Sequence, residues 1–127
     1  MTRRPLALLA AFAALSAVCA TAAVAATRVS NATLTVIPSS VHRGKLVLVR
    51  GNAGACPVGD TVTVMSRAFV GTHRFAGVPA VFTKVRLHHR FHASTRIPAH
   101  KRPGRYGVTA RCGGGNFGVV AHLVVLP

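Results

Sequence analysis

Phe91-His92-Ala93-Ser94-Thr95-Arg96-Ile97 puts Phe91, Ala93, Thr95 and Ile97 on one side of an extended chain and His92, Ser94 and Arg96 on the other. Side chains alternate faces along a strand, so a stretch of period two predicts a strand with one buried face. A second such stretch opens at Pro103-Gly104, where Tyr106, Val108, Ala110 and Cys112 share a face. Working back towards the N-terminus, Val78 to Leu87 alternates from Val81 onward, with Thr83, Val85 and Leu87 in step. Thr61 to Met65 alternates as well, Lys45 to Arg50 runs between Gly44 and Gly51, and Ala32 to Val36 stops at Pro38. Towards the C-terminus, Gly113-Gly114-Gly115-Asn116 predicts a hairpin loop and Val119 to Leu126 a closing strand.

About seven short strands divided by Gly, Pro and Asn turns predict an all-β fold, an immunoglobulin-like antiparallel sandwich. Nothing after residue 26 carries a helical stripe. Tyr106, placed after Pro103-Gly104, is positioned to send its hydroxyl back to nearby backbone, as the corner tyrosine of such sandwiches does.

The chain begins differently. Thr2-Arg3-Arg4 is a basic head, Leu6 to Ala25 a run of Leu, Ala, Val and Phe, and Ala23-Val24-Ala25-Ala26 a small-residue end. Those are the parts of a secretory signal peptide. Residues 1–26 are therefore expected to be a leader and residues 27–127 one domain. The competing reading is an uncleaved anchor, because twenty apolar residues could span a bilayer.

Of three cysteines, Cys19 falls in the leader, leaving Cys56 and Cys112. An even pair in an exported chain is expected to form a disulfide. No Cys-x-x-Cys or Cys-His spacing suggests a metal instead.

Several stretches carry a family likeness. Leu34-x-Val36-x-Pro38-Ser39-Ser40-Val41 with Gly44 resembles the opening of secreted bacterial immunoglobulin-like domains, chiefly actinobacterial. Cys56-Pro57-x-Gly59-Asp60-x-Val62, Ile97-Pro98-Ala99 and Pro103-Gly104-x-Tyr106-x-Val108-x-Ala110-Arg111-Cys112 extend it over most of residues 27–127. The resemblance implies the fold and an extracellular address, in modules that serve adhesion or spacing. The opening also resembles neocarzinostatin-type apoproteins, which implies a cleft for a small apolar ligand. Where such bacterial domains commonly carry Asp and Gly, this chain has His88-His89-Arg90, and neither residue type favours turns. A preference for charge at that turn is the expectation.

Enzymatic chemistry has little to work with. Paired-carboxylate catalysis needs two positioned acids, and Asp60 is the only acidic side chain. No Gly-x-Ser-x-Gly elbow supports a triad around it. The expectation is no enzyme, no cofactor and no metal. His88, His89 and His92 are read as surface histidines, since no carboxylate or thiolate joins them.

Charge is the remaining clue. Sixteen Lys and Arg face one acid, for a formal net charge of +15, and only Arg3 and Arg4 belong to the leader. Lys84, Arg86, Arg90, His92 and Arg96 fall on outward positions of two successive strands, followed by Lys101, Arg102 and Arg105. If those strands pair as a hairpin, they form one cationic face. Like charges across strands oppose pairing, and a polyanion lying over them would relieve the repulsion. The expected partner is a polyanionic envelope polymer or anionic surface. Sequence-specific nucleic acid is not expected, for want of a recognition helix. The contrary reading is a cationic domain without a polyanion partner. A protein partner, bound through loops, an edge strand or the apolar final strand, is the alternative, and that strand also leaves dimerisation open.

Overall fold

The structure is a computed structural model describing residues 31–113 and 115–127, together with residues 14, 16–18 and 29. Most of the expected leader, Cys19 and the expected cleavage point lie outside the described residues.

Two sheets face each other, as expected of a sandwich. The smaller has the order β1-β3-β7, built from Thr35–Ile37, Leu46–Asn52 and Arg90–Arg96. The larger has the order β2-β10-β8-β4-β6-β5, from Ser40–His42, Ala121–Leu126, Gly104–Cys112, Thr61–Met65, Val78–Lys84 and Arg74–Phe75. The short β9, Gly115–Asn116, adds to the end of β8. Ladders are antiparallel throughout, except that β2 lies parallel to β10.

The alternating patterns mark the inward faces. Val47 and Val49 of β3, Val62 and Val64 of β4, Phe91 and Ala93 of β7, Val108 and Ala110 of β8, and Leu123 and Val125 of β10 meet in one buried core. The Phe91 and Phe117 rings pack edge to face at 5.5 Å. Phe69, from the irregular segment between β4 and β5, is also fully buried.

Four sequence expectations need correction. The first strand is Thr35–Ile37 rather than Ala32 to Val36, although it stops at Pro38 as expected. Lacking an N–H, Pro38 breaks pairing with β3, and the chain resumes as β2 in the opposite sheet. The strand expected over Val78 to Leu87 stops at Lys84. Leu87 is 76% exposed, because it sits in a short 3-10 turn where the chain leaves one sheet for the other. The expected hairpin between the strands at Val78 and Phe91 does not exist. β6 has β4 along one edge and β5 at the start of the other, so the chain crosses the sandwich and β7 pairs with β3 instead. Finally, the His88-His89 turn does serve backbone geometry. Both residues have left-handed φ, 60° and 58°, a region in which His is enriched several-fold among non-glycine residues. The His89 ring donates from Nδ1–H to the Cys56 carbonyl at 2.9 Å.

The apolar last strand has its partners within the chain. β10 lies between β2 and β8, with Leu123 and Val125 buried. The free edge of β7 is also occupied. The Arg90 carbonyl accepts the Arg86 N–H at 2.7 Å and the Arg96 carbonyl accepts the Val70 N–H at 3.0 Å. Between them, the His92 carbonyl accepts the Thr83 hydroxyl at 2.8 Å. The other outer strands, β1, β2 and β5, are three, three and two residues long.

Candidate functional site

Arg90, His92 and Arg96 all point outward from β7, as the alternation predicted. What the sequence could not supply was their neighbour. β3 lies alongside, and its register sets Asn52 opposite Arg90, Arg50 opposite His92, Leu48 opposite Ser94 and Leu46 opposite Arg96. On the far side of β3, Thr35 is opposite Arg50 and Ile37 opposite Leu48. Among the described residues, the outer face of the smaller sheet therefore holds four basic side chains and no acidic one. Arg50 and His92 are direct cross-strand neighbours, with Cβ atoms about 5 Å apart in such pairs.

The face has two halves. Near the crossover, Thr33, Thr35, Arg50, Asn52, Arg90 and His92 line a shallow groove. Its floor is Gly51, against which the N-terminal segment is laid closely. Asn52 donates its N–H to the Thr33 hydroxyl at 2.9 Å and accepts the Thr33 N–H at 2.9 Å. A Cβ at Gly51 would stand 2.0 Å from the Thr33 carbonyl oxygen, so no larger residue fits there. At the other end, exposed Leu46 and Ile37 with half-buried Leu48 form an apolar strip beside Arg96. The Arg96 guanidinium donates to the Gly44 carbonyl, which ties it to the rim.

The other expected basic residues lie apart from this face. Lys84 ends β6 on the larger sheet, where its ammonium donates to the Thr61 hydroxyl at 2.8 Å. Arg86 is exposed in the crossover. Lys101, Arg102 and Arg105 come together at the end of the sandwich where β8 begins, beside Arg67 and Arg74, which no local pattern groups with them. There Tyr106 donates its hydroxyl to the Arg102 carbonyl, four residues upstream, as a corner tyrosine does. Tyr106→Phe is expected to cost about 1 kcal/mol, the ordinary worth of such a bond. A urea titration checks it, and an unchanged midpoint would mean water replaces the hydroxyl at the Arg102 carbonyl.

Cys56 and Cys112 form the expected disulfide, joining the β3–β4 connection to the end of β8 with Cα atoms 6.2 Å apart. Asp60 lies within 4.8 Å of both sulfurs. Because the sulfurs are bonded to each other, this trio offers a metal only one carboxylate. Phe91 is core and Tyr106 half-buried against it, whereas Phe75 and Phe82 are exposed on the larger sheet. There the Arg111 guanidinium lies over the Phe75 ring, 5.6 Å from its centroid. Among the described residues, no helix is long and apolar enough to cross a membrane.

No protein-family model matches the chain, and no curated protein matches it in sequence. Its backbone is similar to part of the Yersinia pseudotuberculosis adhesin InvE, with a TM-score of 0.55 and 17% identity. That match covers 76% of this chain and 26% of the adhesin, so the chain spans about a quarter of the adhesin's length. Macromomycin aligns at a TM-score of 0.46 with 12% identity, over 73% of this chain and 96% of that one. The Pseudomonas fluorescens alkylpurine DNA glycosylase AlkC aligns at 0.47 with 15% identity, over 75% and 29%. At such identities the likeness to the adhesin is one of fold alone, and the two weaker superpositions bear no weight.

Proposed function

We infer that this chain is an exported, non-enzymatic binding module that contacts polyanions of the cell envelope or extracellular space through the outer face of its smaller sheet. The observation that carries this reading is the grouping of Arg50, Arg90, His92 and Arg96 on one three-stranded face that bears no acid. From Arg90 to Arg96 the row extends about 20 Å, at about 3.4 Å per residue, enough for several charges of a linear polymer. Cross-strand repulsion between these cations is a standing cost, and an anionic chain laid over them removes it. The Ile37–Leu48–Leu46 strip gives uncharged parts of the same polymer an apolar seat.

The alternative partners find less to hold. A protein adding a strand would meet the occupied edge of β7, the two- or three-residue strands β1, β2 and β5, or the stretch of β6 that β5 leaves uncovered. An apolar ligand would need an apolar cleft, and the grooves around Arg50 and around Tyr106 have cationic walls. With one acidic side chain in the whole sequence, paired-carboxylate hydrolysis lacks its second acid.

The test is retention of the oxidised domain on heparin, polyphosphate and neutral matrices, eluted by a salt gradient. Binding to the polyanions is expected, with log K falling linearly against log salt. Arg50→Gln, Arg90→Gln and Arg96→Gln together should flatten that slope by about 2 to 3. Equal retention on the neutral matrix, or a triple variant with unchanged slope, overturns the reading.

A further inference from the structure

A second basic cluster, at the end of the sandwich, differs from the sheet face in shape. Arg67, Arg74, His100, Lys101, Arg102 and Tyr106 line a groove there. The basic ones come from three separate segments, the irregular stretch after β4, the β5–β6 hairpin and the loop from β7 into β8, and Tyr106 comes from β8 itself.

Each segment is tied down by its own side chains. The Lys101 ammonium donates to the Arg67 carbonyl at 2.7 Å, holding the β7–β8 loop against the stretch after β4. The Arg74 guanidinium donates to the Gly77 carbonyl at 3.0 Å, closing the hairpin turn. That turn, Ala76-Gly77, has φ of 49° and 80°, so both residues are left-handed, as a tight two-residue hairpin requires. Tyr106 pins the Arg102 carbonyl. An ammonium has three donors and a guanidinium five, so Lys101 and Arg74 keep further donors after these bonds.

Asp60 is no counterion here. It sits beside Cys112, and β8 runs from Gly104, next to the groove, to Cys112. At about 3.4 Å per residue, that is about 27 Å of strand. Ions so far apart are largely screened from each other at physiological salt, where the Debye length is about 8 Å. Like charges fixed around a concavity, with no acidic side chain in reach, are stabilised by an anion seated among them. Convergence from three sides suits a compact oxyanion, which guanidinium forks can grip with paired hydrogen bonds.

We propose that the groove lined by Arg67, Arg74, Lys101 and Arg102 is a distinct site for a tetrahedral oxyanion, carried as a phosphate monoester or a sulfate ester. The site does not depend on the sheet face, and either can exist without the other.

Tyr106 provides a direct probe. It is the only tyrosine, and the sequence has no tryptophan, so intrinsic fluorescence reports on this groove alone. Inorganic phosphate and sulfate are titrated separately into the oxidised protein, with sodium chloride holding ionic strength constant. The expected result is a saturable change in Tyr106 emission and a matching rise in Tm, since a ligand bound only by the folded state stabilises it. Arg67→Gln with Arg102→Gln should weaken binding at least tenfold while leaving far-ultraviolet circular dichroism unchanged. Arg50→Gln with Arg90→Gln should leave phosphate binding intact and alter only polymer retention. Binding of phosphate alone assigns a phosphate ester and of sulfate alone a sulfate ester, while equal binding of both supports a general oxyanion site. An emission change that chloride reproduces, or a groove variant that binds as tightly as the parent, overturns the proposal. If the paired groove variant is misfolded, Arg102→Gln alone is used and judged by the same tenfold criterion.

Discussion

Cys56→Ala with Cys112→Ala is expected to lower the unfolding free energy by about 4 kcal/mol, the chain-entropy value for a closed loop of this length. The two residues are 56 apart in sequence, so the bridge removes many conformations from the unfolded chain. Its folded-state setting adds to the effect. Both cysteines are buried, the Cys56 N–H bonds the Ala53 carbonyl at 3.0 Å, and His89 holds the Cys56 carbonyl from the crossover. Small domains are commonly stable by about 5–15 kcal/mol in all, so the loss brings the fold close to its margin. Urea titration of the oxidised parent and the double variant measures it. A difference under about 1 kcal/mol would mean that His89 and the local backbone bonds fix this end of the sandwich without the covalent link.

Phe69→Ala should cost about 3–5 kcal/mol, the usual range for removing a fully buried aromatic ring. Its surroundings make collapse into the space difficult. Ser66 caps the segment by accepting the Ala68 N–H on its hydroxyl at 3.1 Å and the Phe69 N–H on its carbonyl at 3.2 Å. The Val70 N–H is held by Arg96. Because Arg67 shares this segment and its carbonyl anchors Lys101, loosening it should also weaken phosphate binding at the end groove. The same denaturant titration gives the first effect and Tyr106 emission the second. A loss below about 1 kcal/mol would show that neighbouring side chains refill the volume.

Alternation along the sequence made the faces legible. Thr61–Met65 was expected as a strand over the residues it occupies, and Phe91, Ala93, Thr95 and Ile97 are buried as their spacing required. Period two says which way a side chain points, but it does not say which strand lies alongside. Hence alternation turns Arg90, His92 and Arg96 outward, as the structure has them, but points to the wrong partner strand and leaves Arg50 out of the face. Pairing depends on contacts distant in sequence, and the crossover at residues 85–89 looks locally much like a hairpin. β2 was hidden by Pro38, which signals a break without saying that the chain carries on in the other sheet. Phe69 gave no periodic signal, because its segment is irregular and is set by the cavity it fills. The end groove was half visible, in Lys101, Arg102 and Arg105. Arg67 and Arg74 join it only through the fold.

The parallel pairing of β2 with β10 has a mechanical consequence. Ser40, Val41 and His42 run beside Val124, Val125 and Leu126, tied by the Val124 N–H to the Ser39 carbonyl at 2.8 Å and by the His42 ring to the Pro127 main-chain oxygen at 2.8 Å. Tension applied through the two ends of the domain pulls these strands in opposite directions along their length. The evenly spaced bonds of a parallel ladder then bear the load together in shear, rather than opening one by one as a peeled hairpin does. A domain stitched in this way is suited to staying folded when one end is held and the other is dragged.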